Sequence, residues 1–136
     1  MSNSNISLFV EIRYKANRKR IIGAVNAVLQ EQEIVRDAVV SVAIVGDRKM
    51  RELNKKYRGK DTTTNVLSFP LSEGEQTVLP PIAISEGGRD LLHLGDIIIA
   101  YPQVIRESAE ENMLVDDRID MLVKHGLMHL LGIHHE

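Results

Sequence analysis

The chain has 136 residues, of which 43% are hydrophobic and 26% are charged, and its formal net charge is -2. This length suffices for one domain with a substantial core and is short for two, so we expect a single domain over residues 1–136. The chain contains no cysteine, which excludes a disulfide framework, a cysteine nucleophile and a cysteine zinc site, and leaves nitrogen and oxygen as metal ligands.

Three features of the sequence bear on the cellular location of the protein. The apolar runs are much shorter than the roughly 20 residues of a membrane-spanning helix, and the first residues do not resemble a signal peptide. The absence of cysteine also fits a reducing compartment. We therefore expect a cytoplasmic protein without membrane partners.

The charges are distributed unevenly along the chain. Residues 1–68 contain 13 Lys and Arg against 7 Asp and Glu, whereas residues 69–136 contain 4 against 12. A basic face for nucleic acid is one interpretation. Taken alone, the charges favour the simpler interpretation of two oppositely charged, solvated surfaces.

Strands and helices alternate in the first part of the chain. Apolar and polar residues alternate over Ile6–Tyr14 and predict a half-buried strand, and the β-branched segment Ala38–Val45 predicts a second strand. An apolar stripe at helical spacing predicts a helix over Asn17–Gln32, with Asn17 as its N-cap. A short helix is predicted over Asp47–Tyr57.

A polar loop is predicted over Arg58–Asn65, followed by a strand over Val66–Leu71. Pro70 lacks a backbone donor, so this strand should lie at a sheet edge or end there. The irregular segment Ser72–His93 predicts a loop with one short strand at Ile82–Ile84.

Three elements complete the chain. A buried strand is predicted over Gly95–Tyr101, then a helix from Pro102 to about Asn112, and a last helix over Val115–Gly132. Because helices and strands mix without strict alternation, the predicted class is α+β.

Four of the five histidines lie within the last twelve residues. His125 and His129 are four residues apart and should share one face of the last helix. Gly132 can adopt the left-handed conformation that ends a helix, so that the chain turns back and brings His135 to the same ion. This spacing matches the metzincin zinc pattern, in which three histidines leave a fourth position for a water whose pKa falls to around 7.

Simpler interpretations exist for these histidines. A histidine pair near a helix end is often a surface or capping pair, and terminal histidines can remain from a purification tag. The joint match of three histidines and one glycine favours the metal site. His134 could compete as the third ligand, but the spacing selects His135 and leaves His134 a supporting or exposed role. His93 is interpreted as a surface histidine.

Gly126 occupies the position at which H-E-x-x-H peptidases carry a glutamate general base. A peptidase without this base would lose about a hundredfold or more in rate. The metal ligands therefore resemble those of a protease while the proton chemistry does not. This combination favours an anionic substrate such as a phosphodiester, which a neighbouring carboxylate would repel.

Three segments together, Tyr57–Pro70, Leu94–Ala100 and His125–Glu136, resemble the YbeY-type family of bacterial endoribonucleases and ribosomal RNA maturation factors. The resemblance implies a zincin-like mixed β-sheet with flanking helices and a zinc site at the end of the C-terminal helix. It implies that His125, His129 and His135 bind one zinc ion and that Arg58 lies near it and is needed for activity.

The resemblance also implies cleavage of single-stranded RNA, with roles in maturing the 3′ end of 16S ribosomal RNA and in ribosome quality control. The implied partners are single-stranded or ribosomal RNA and the ribosome or its small-subunit proteins. Two departures from the family's usual pattern stand out. Ile133 and His134 replace the usual Tyr-Asp before the third histidine, and Thr63 replaces a proline.

Arg58 could hold a phosphate in a bidentate fork, and Lys60 is the second predicted substrate-binding residue. The other basic residues of the Asp47–Tyr57 helix are better interpreted as a solvated face. The chain has few aromatic residues for base stacking, which predicts weak sequence preference. Two alternatives remain, a small zinc protease and a non-catalytic ribosome-binding module with a zinc site.

Overall fold

The computed structural model describes residues 4–34, 37–70 and 92–133. They contain four strands, β1 (Ser4–Val10), β2 (Ala38–Val45), β3 (Val66–Pro70) and β4 (Leu92–Ala100), which form one sheet in the order β1-β2-β4-β3. β2 is parallel to both β1 and β4, and β3 is antiparallel to β4. The sheet is therefore mixed, and β3 is one of its edges in the described part of the chain, as Pro70 predicts.

Four helices accompany the sheet: α1 (Arg18–Glu31), α2 (Asp47–Arg58), α3 (Tyr101–Glu110) and α4 (Val115–Leu130). The side chain of Asn17 accepts a hydrogen bond of 3.1 Å from the Arg20 N–H and caps α1, as predicted. Pro102 lies in the first turn of α3, where its missing N–H costs nothing. These elements confirm the predicted α+β class with flanking helices.

The core lies on both faces of the sheet because successive strand side chains point to opposite faces. α1 and α4 pack on one face, against the buried side chains Val40, Val42, Ile44, Ile97 and Ile99. α2 packs on the other face through Met50 and Leu53, against Ala43, Val45, Leu67, Ile98 and Ala100. β2 is consequently buried throughout and β4 is buried from Leu94 to Ala100, and α2 and α4 lie on opposite sides of the sheet.

Several predicted boundaries were wrong. β1 ends at Val10 instead of Tyr14, since the Tyr14 N–H donates to the Glu11 carbonyl in a turn. β4 begins at Leu92, whose N–H donates to the carbonyl of Asp37 at 2.8 Å, so His93 lies in a strand and not in the predicted loop.

Other boundaries shift by one or two residues. Tyr101 belongs to α3, Arg58 is the last residue of α2, and α4 ends at Leu130. The exposure of His93 agrees with its interpretation as a surface histidine. Leu71 and the predicted strand Ile82–Ile84 lie outside the described residues. None of the described helices is long and apolar enough to cross a membrane.

Candidate active site

α4 carries His125 and His129 side by side. Their ring centroids are 5.1 Å apart and the ring planes are inclined by 37°. Both residues are exposed, whereas Gly126, Leu127 and Leu130 on the opposite side of the helix are buried. The amphipathic pattern of α4 therefore presents the two imidazoles to solvent, on one face, as the spacing of four residues predicts.

A glycine turn ends α4 just beyond His129. The Gly132 N–H donates to the His129 carbonyl at 3.0 Å, and the Ile133 N–H donates to the Met128 carbonyl at 2.9 Å. These bonds form a Schellman motif, which requires a left-handed residue, and Gly132 has a φ of +78°. The predicted role of Gly132 as a helix-ending glycine is thus confirmed.

His134 and His135 lie outside the described residues, so the third ligand remains a prediction. The residues that the structure does describe contain no group of three His, Asp or Glu side chains that could hold a metal ion. The described residues do bring two of the three predicted ligands, His125 and His129, to one face of α4. Exposed imidazole nitrogens at this separation are a donor set that suits zinc.

Ser68 of β3 lies beside this pair. Its Oγ is 3.4 Å from Nδ1 of His129. When Nδ1 carries the ring proton and donates it to the Ser68 hydroxyl, Nε2 keeps a free lone pair. A neutral imidazole in this tautomer can bind a metal through Nε2. No motif in the sequence points to Ser68 as a site residue, apart from its place within the Tyr57–Pro70 segment that resembles the YbeY-type family.

Arg58 approaches the same serine from the other side of the sheet. Its Nη2 donates a hydrogen bond of 2.7 Å to the Ser68 carbonyl, and the centre of its guanidinium lies 4.9 Å from the centroid of the Phe69 ring. Ser68 therefore contacts Arg58 through its backbone and His129 through its side chain. The end of α2, the edge strand and the end of α4 meet at this residue.

A groove of about 420 Å³ adjoins Arg58. Its lining is cationic and rich in hydroxyl groups, and consists of Asn54, Arg58, Lys60, Thr62, Thr63, Thr64 and Leu67. A second groove of about 530 Å³ shares Thr62 and Thr63 with the first and is otherwise lined by Asp47, Arg48, Arg51 and Asp61. Lys60 thus lies in the first groove together with Arg58.

The charges of the two grooves differ. Arg51 donates a 2.7 Å hydrogen bond to Asp61, which lowers the pKa of that carboxyl below its usual range and neutralises the arginine. Among the described carboxylates, none pairs with Arg58 or Lys60. Within the described residues, no carboxylate therefore neutralises the charge of Arg58, which contacts the same serine as His129.

The loop that lines both grooves is held by side chains of α2. Asn54 is buried, and its Nδ2 donates to the Thr62 carbonyl at 2.9 Å. The Thr63 Oγ donates to Oδ1 of Asp47 at 3.0 Å. A proline at position 63 would have no hydroxyl, so the threonine of this chain adds a hydrogen bond that contributes to fixing the loop.

Gly126 is buried between α4 and β4. A Cβ atom at this position would lie 3.0 Å from Cγ2 of Ile97, closer than ordinary van der Waals contact. A side chain here would point at the sheet and not toward the exposed histidines. A glutamate base therefore cannot be supplied from position 126 unless α4 moves away from the sheet.

The fold and the site together define a class, an α+β protein whose last helix carries an exposed histidine pair and whose edge strand links one of these histidines to an arginine through Ser68. The chain belongs to the endoribonuclease YbeY family, because the model of that family, described as "Endoribonuclease YbeY", matches residues 3–136. The family's members are metal-dependent nucleases, and this chain is accordingly a hydrolase of the nuclease class.

Individual relatives agree. The chain is 37% identical over 112 residues to the endoribonuclease YbeY of Thermoanaerobacter sp. (strain X514), covering 82% of this chain and 70% of that protein. It is 36% identical to the Acinetobacter baylyi protein of the same name, over 88% of this chain and 70% of the other.

A more similar relative, the endoribonuclease YbeY of Anaeromyxobacter sp. (strain Fw109-5), is 44% identical over 74% of this chain and 45% of its own length. The solution structure of TM1509 from Thermotoga maritima superposes with a TM-score of 0.56 at 27% identity, and covers 98% of this chain and 75% of that one.

Proposed function

We propose that this chain is a zinc-dependent, single-strand-specific endoribonuclease that acts in 3′-end maturation of 16S ribosomal RNA and in ribosome quality control. The observation that carries the proposal is the contact of Ser68 with both Arg58 and His129. Through Ser68 it links His129 to an arginine that no described carboxylate pairs with, and this supports the proposal. A phosphodiester is the substrate whose charge and chemistry match this pair of features.

His125, His129 and His135 would hold the zinc ion. A zinc ion bound there supplies Lewis acidity toward the phosphate and lowers the pKa of a coordinated water. The Oγ of Ser68 orients the His129 ring through Nδ1. Nickel or cobalt would also suit three nitrogen donors, because affinity alone does not select zinc.

Arg58 is the proposed phosphate-binding residue. A guanidinium has five N–H donors, and one of the nitrogens of Arg58 is used on the Ser68 carbonyl. The remaining donors can hold a phosphate in a fork and stabilise the charge that develops on it during cleavage. Lys60, on the same groove, would bind a neighbouring phosphate as a point charge.

The two adjoining grooves suggest a path for the RNA backbone. Among the described residues their lining combines hydroxyl and cationic groups with two carboxylates, Asp47 and Asp61, and contains no aromatic side chain. Such a lining binds sugar and phosphate and does not stack bases, which supports the expectation of weak sequence preference. We place this activity in the cytoplasm, on ribosomal RNA bound to the ribosome or its small-subunit proteins, with residues 1–136 acting as one domain.

The protease alternative loses support from the packing of Gly126 against Ile97, since this position cannot carry a general base. No observation favours the non-catalytic module.

The test is cleavage of a single-stranded RNA by the wild type, Arg58→Ala and His129→Ala, with metal content measured for each. We expect Arg58→Ala to keep its zinc and to cleave about a hundredfold or more slowly. We expect His129→Ala to lose its zinc and its cleavage activity. Lys19→Ala, which removes an exposed lysine outside both grooves, is the control. Full cleavage by zinc-free His129→Ala would overturn the metal-dependent reaction, and full cleavage by zinc-loaded Arg58→Ala would remove the phosphate-binding role.

A further inference from the structure

Phe69 is a half-buried residue of the edge strand β3 that the proposed reaction does not yet use. One part of its environment is the Arg58 guanidinium, 4.9 Å from the ring centroid. The other is the ring of Tyr57, whose centroid is 5.4 Å away with an interplanar angle of 61°. The edge-on contact with Tyr57 fixes the plane of the Phe69 ring and so fixes where its electron-rich face lies.

Arg58 needs such support because of its position. It is the last residue of α2, it is exposed, and the chain leaves the helix immediately afterwards through Gly59 with a φ of +71°. A long side chain at a helix end has many rotamers, and an arginine that is to meet a phosphate must occupy one of them.

Two neutral groups restrict Arg58 from different directions. The Ser68 carbonyl accepts the 2.7 Å bond from Nη2. In the sheet formed by the described strands β3 lies at the edge, so alternate carbonyls are not used by its ladder with β4 and can accept such a bond. The face of Phe69 attracts the guanidinium through the ring quadrupole.

The neutrality of these groups distinguishes Arg58 from two other arginines, Arg51 and Arg118. Arg51 is held by Asp61, and Arg118 by Glu107 and Glu111. A carboxylate holds an arginine in place but also neutralises it, whereas a carbonyl and an aromatic face hold it and leave its charge for a ligand.

We propose that Phe69 is a positioning residue of the nuclease: its ring, with the Ser68 carbonyl, holds the Arg58 guanidinium beside His129 without neutralising it. This inference rests on the phosphate-binding role proposed for Arg58. It assigns Phe69 no contact with the RNA.

The first experiment measures kcat and KM for a single-stranded RNA with zinc-loaded Phe69→Leu and Phe69→Tyr. We expect Phe69→Leu to lower kcat/KM about five- to tenfold, since it keeps an apolar side chain but removes the aromatic face. Phe69→Tyr retains that face and should stay within about twofold of the wild type. Zinc content should not change in either variant. Phe9→Leu, at an exposed phenylalanine of β1, is the matched control and should cleave like the wild type.

The second experiment repeats Phe69→Leu in the Arg58→Ala background. If Phe69 acts through Arg58, the substitution costs nothing further there. An equal loss in both backgrounds would show that Phe69 acts on the RNA or on folding, and would overturn the proposal. Wild-type kinetics of Phe69→Leu, with Arg58→Ala impaired, would overturn this inference and leave the proposed function standing. Full activity of Arg58→Ala would instead remove the proposed role of Arg58 and this inference with it.

A measurement on the resting protein covers the case in which Phe69→Leu folds poorly. The Nε–H resonance of Arg58, identified by its loss in Arg58→Lys, should be shifted by the ring current in the wild type and in Phe69→Tyr. It should move toward the ordinary arginine position in Phe69→Leu, or in Phe69→Met if the leucine variant is unfolded. An ordinary position in the wild type would overturn the proposal.

Discussion

Position 126 faces the sheet, and this packing limits which side chain the helix can carry there. The nearest atoms to a Cβ at Gly126 are three side-chain carbons of Ile97, at 3.0, 3.3 and 3.5 Å. Ile97 is itself fully buried. Because protein interiors are close-packed, a side chain at position 126 would force Ile97 to shift against its neighbours.

Gly126→Glu should therefore destabilise the protein and not create a peptidase. We expect a loss of about 3 kcal/mol or more in the free energy of unfolding, because the change adds volume and an unpaired charge to the core. Urea unfolding followed by circular dichroism measures it.

Gly23→Glu is the matched control for this substitution. Gly23 is an exposed residue within α1, and no atom lies within 4 Å of the position that a Cβ would occupy there. Since glutamate favours helix over glycine, the control should be stabilised by up to about 1 kcal/mol. A Gly126→Glu protein as stable as the wild type, with or without peptidase activity, would contradict the packing argument.

Thr63 is the second position at which a single residue matters. Thr63→Val keeps the shape of the side chain but removes the hydroxyl that donates to Asp47. We expect a loss of about 1 kcal/mol in stability and weaker RNA binding, because the loop lines both grooves. Thr64→Val, in the first groove only, is the control and should change stability by less than about 0.5 kcal/mol. Equal stability of the two variants would show that the hydrogen bond does not fix the loop.

At the scale of whole elements, two helices end beside the active site, and each ends at a left-handed glycine. Gly59 follows α2 with a φ of +71°, and Gly132 follows α4 with a φ of +78°. Apart from the chain neighbours, no atom of the described residues lies within 4 Å of the position of a Cβ at either glycine. The need for glycine at these ends is therefore conformational and not steric.

Gly132→Ala should consequently destabilise the chain by about 1 kcal/mol, the cost of a left-handed alanine. It should also weaken zinc binding, because the turn leads directly to His135. Gly132→Asn should lose less stability and less zinc affinity than Gly132→Ala, since asparagine tolerates the left-handed conformation better. Chelator competition measures the zinc affinity, and thermal unfolding measures the stability. If Gly132→Ala and Gly132→Asn bound zinc as the wild type does, the turn would not serve the third ligand.

At the scale of the whole molecule, Tyr101 connects the segment after β1 to the start of α3. Its ring stacks on Tyr14 with centroids 4.6 Å apart, and its hydroxyl donates to the Lys15 carbonyl at 2.8 Å. Burial, with a smaller effect of Asp116, raises the pKa of Tyr101 above its ordinary value of 10.0.

Because of this raised pKa, the free energy of unfolding should decrease at alkaline pH. The folded protein keeps the phenol proton to higher pH than the unfolded chain does, so the stabilisation is fully present below about pH 10 and is lost as pH rises through the folded pKa. Tyr101→Phe should be less stable at neutral pH by about 1 kcal/mol and should lack this part of the alkaline decline. Tyr57→Phe, on the exposed face of α2, should keep the decline. Denaturant unfolding between pH 8 and about 11 separates the two.

The sequence by itself determined the elements that follow local rules. The helix α1 with its Asn17 cap, the strand β2, the histidine pair at a spacing of four and the turn at Gly132 all depend on periodicity or capping within one segment. The resemblance carried by three segments likewise indicated the family, which the matching of residues 3–136 confirms.

Only the tertiary structure decided how these pieces combine. That Ser68 touches both Arg58 and His129, that Phe69 lies against Arg58, and that Gly126 lies against Ile97 could not be derived from spacing along the chain. These contacts exist because β3 pairs antiparallel at the edge of the sheet, with α2 and α4 on its opposite faces. The contact between Ser68 and His129 joins residues that are 61 positions apart. The strand pairing and helix packing that bring them together are set by the whole core and not by any local preference.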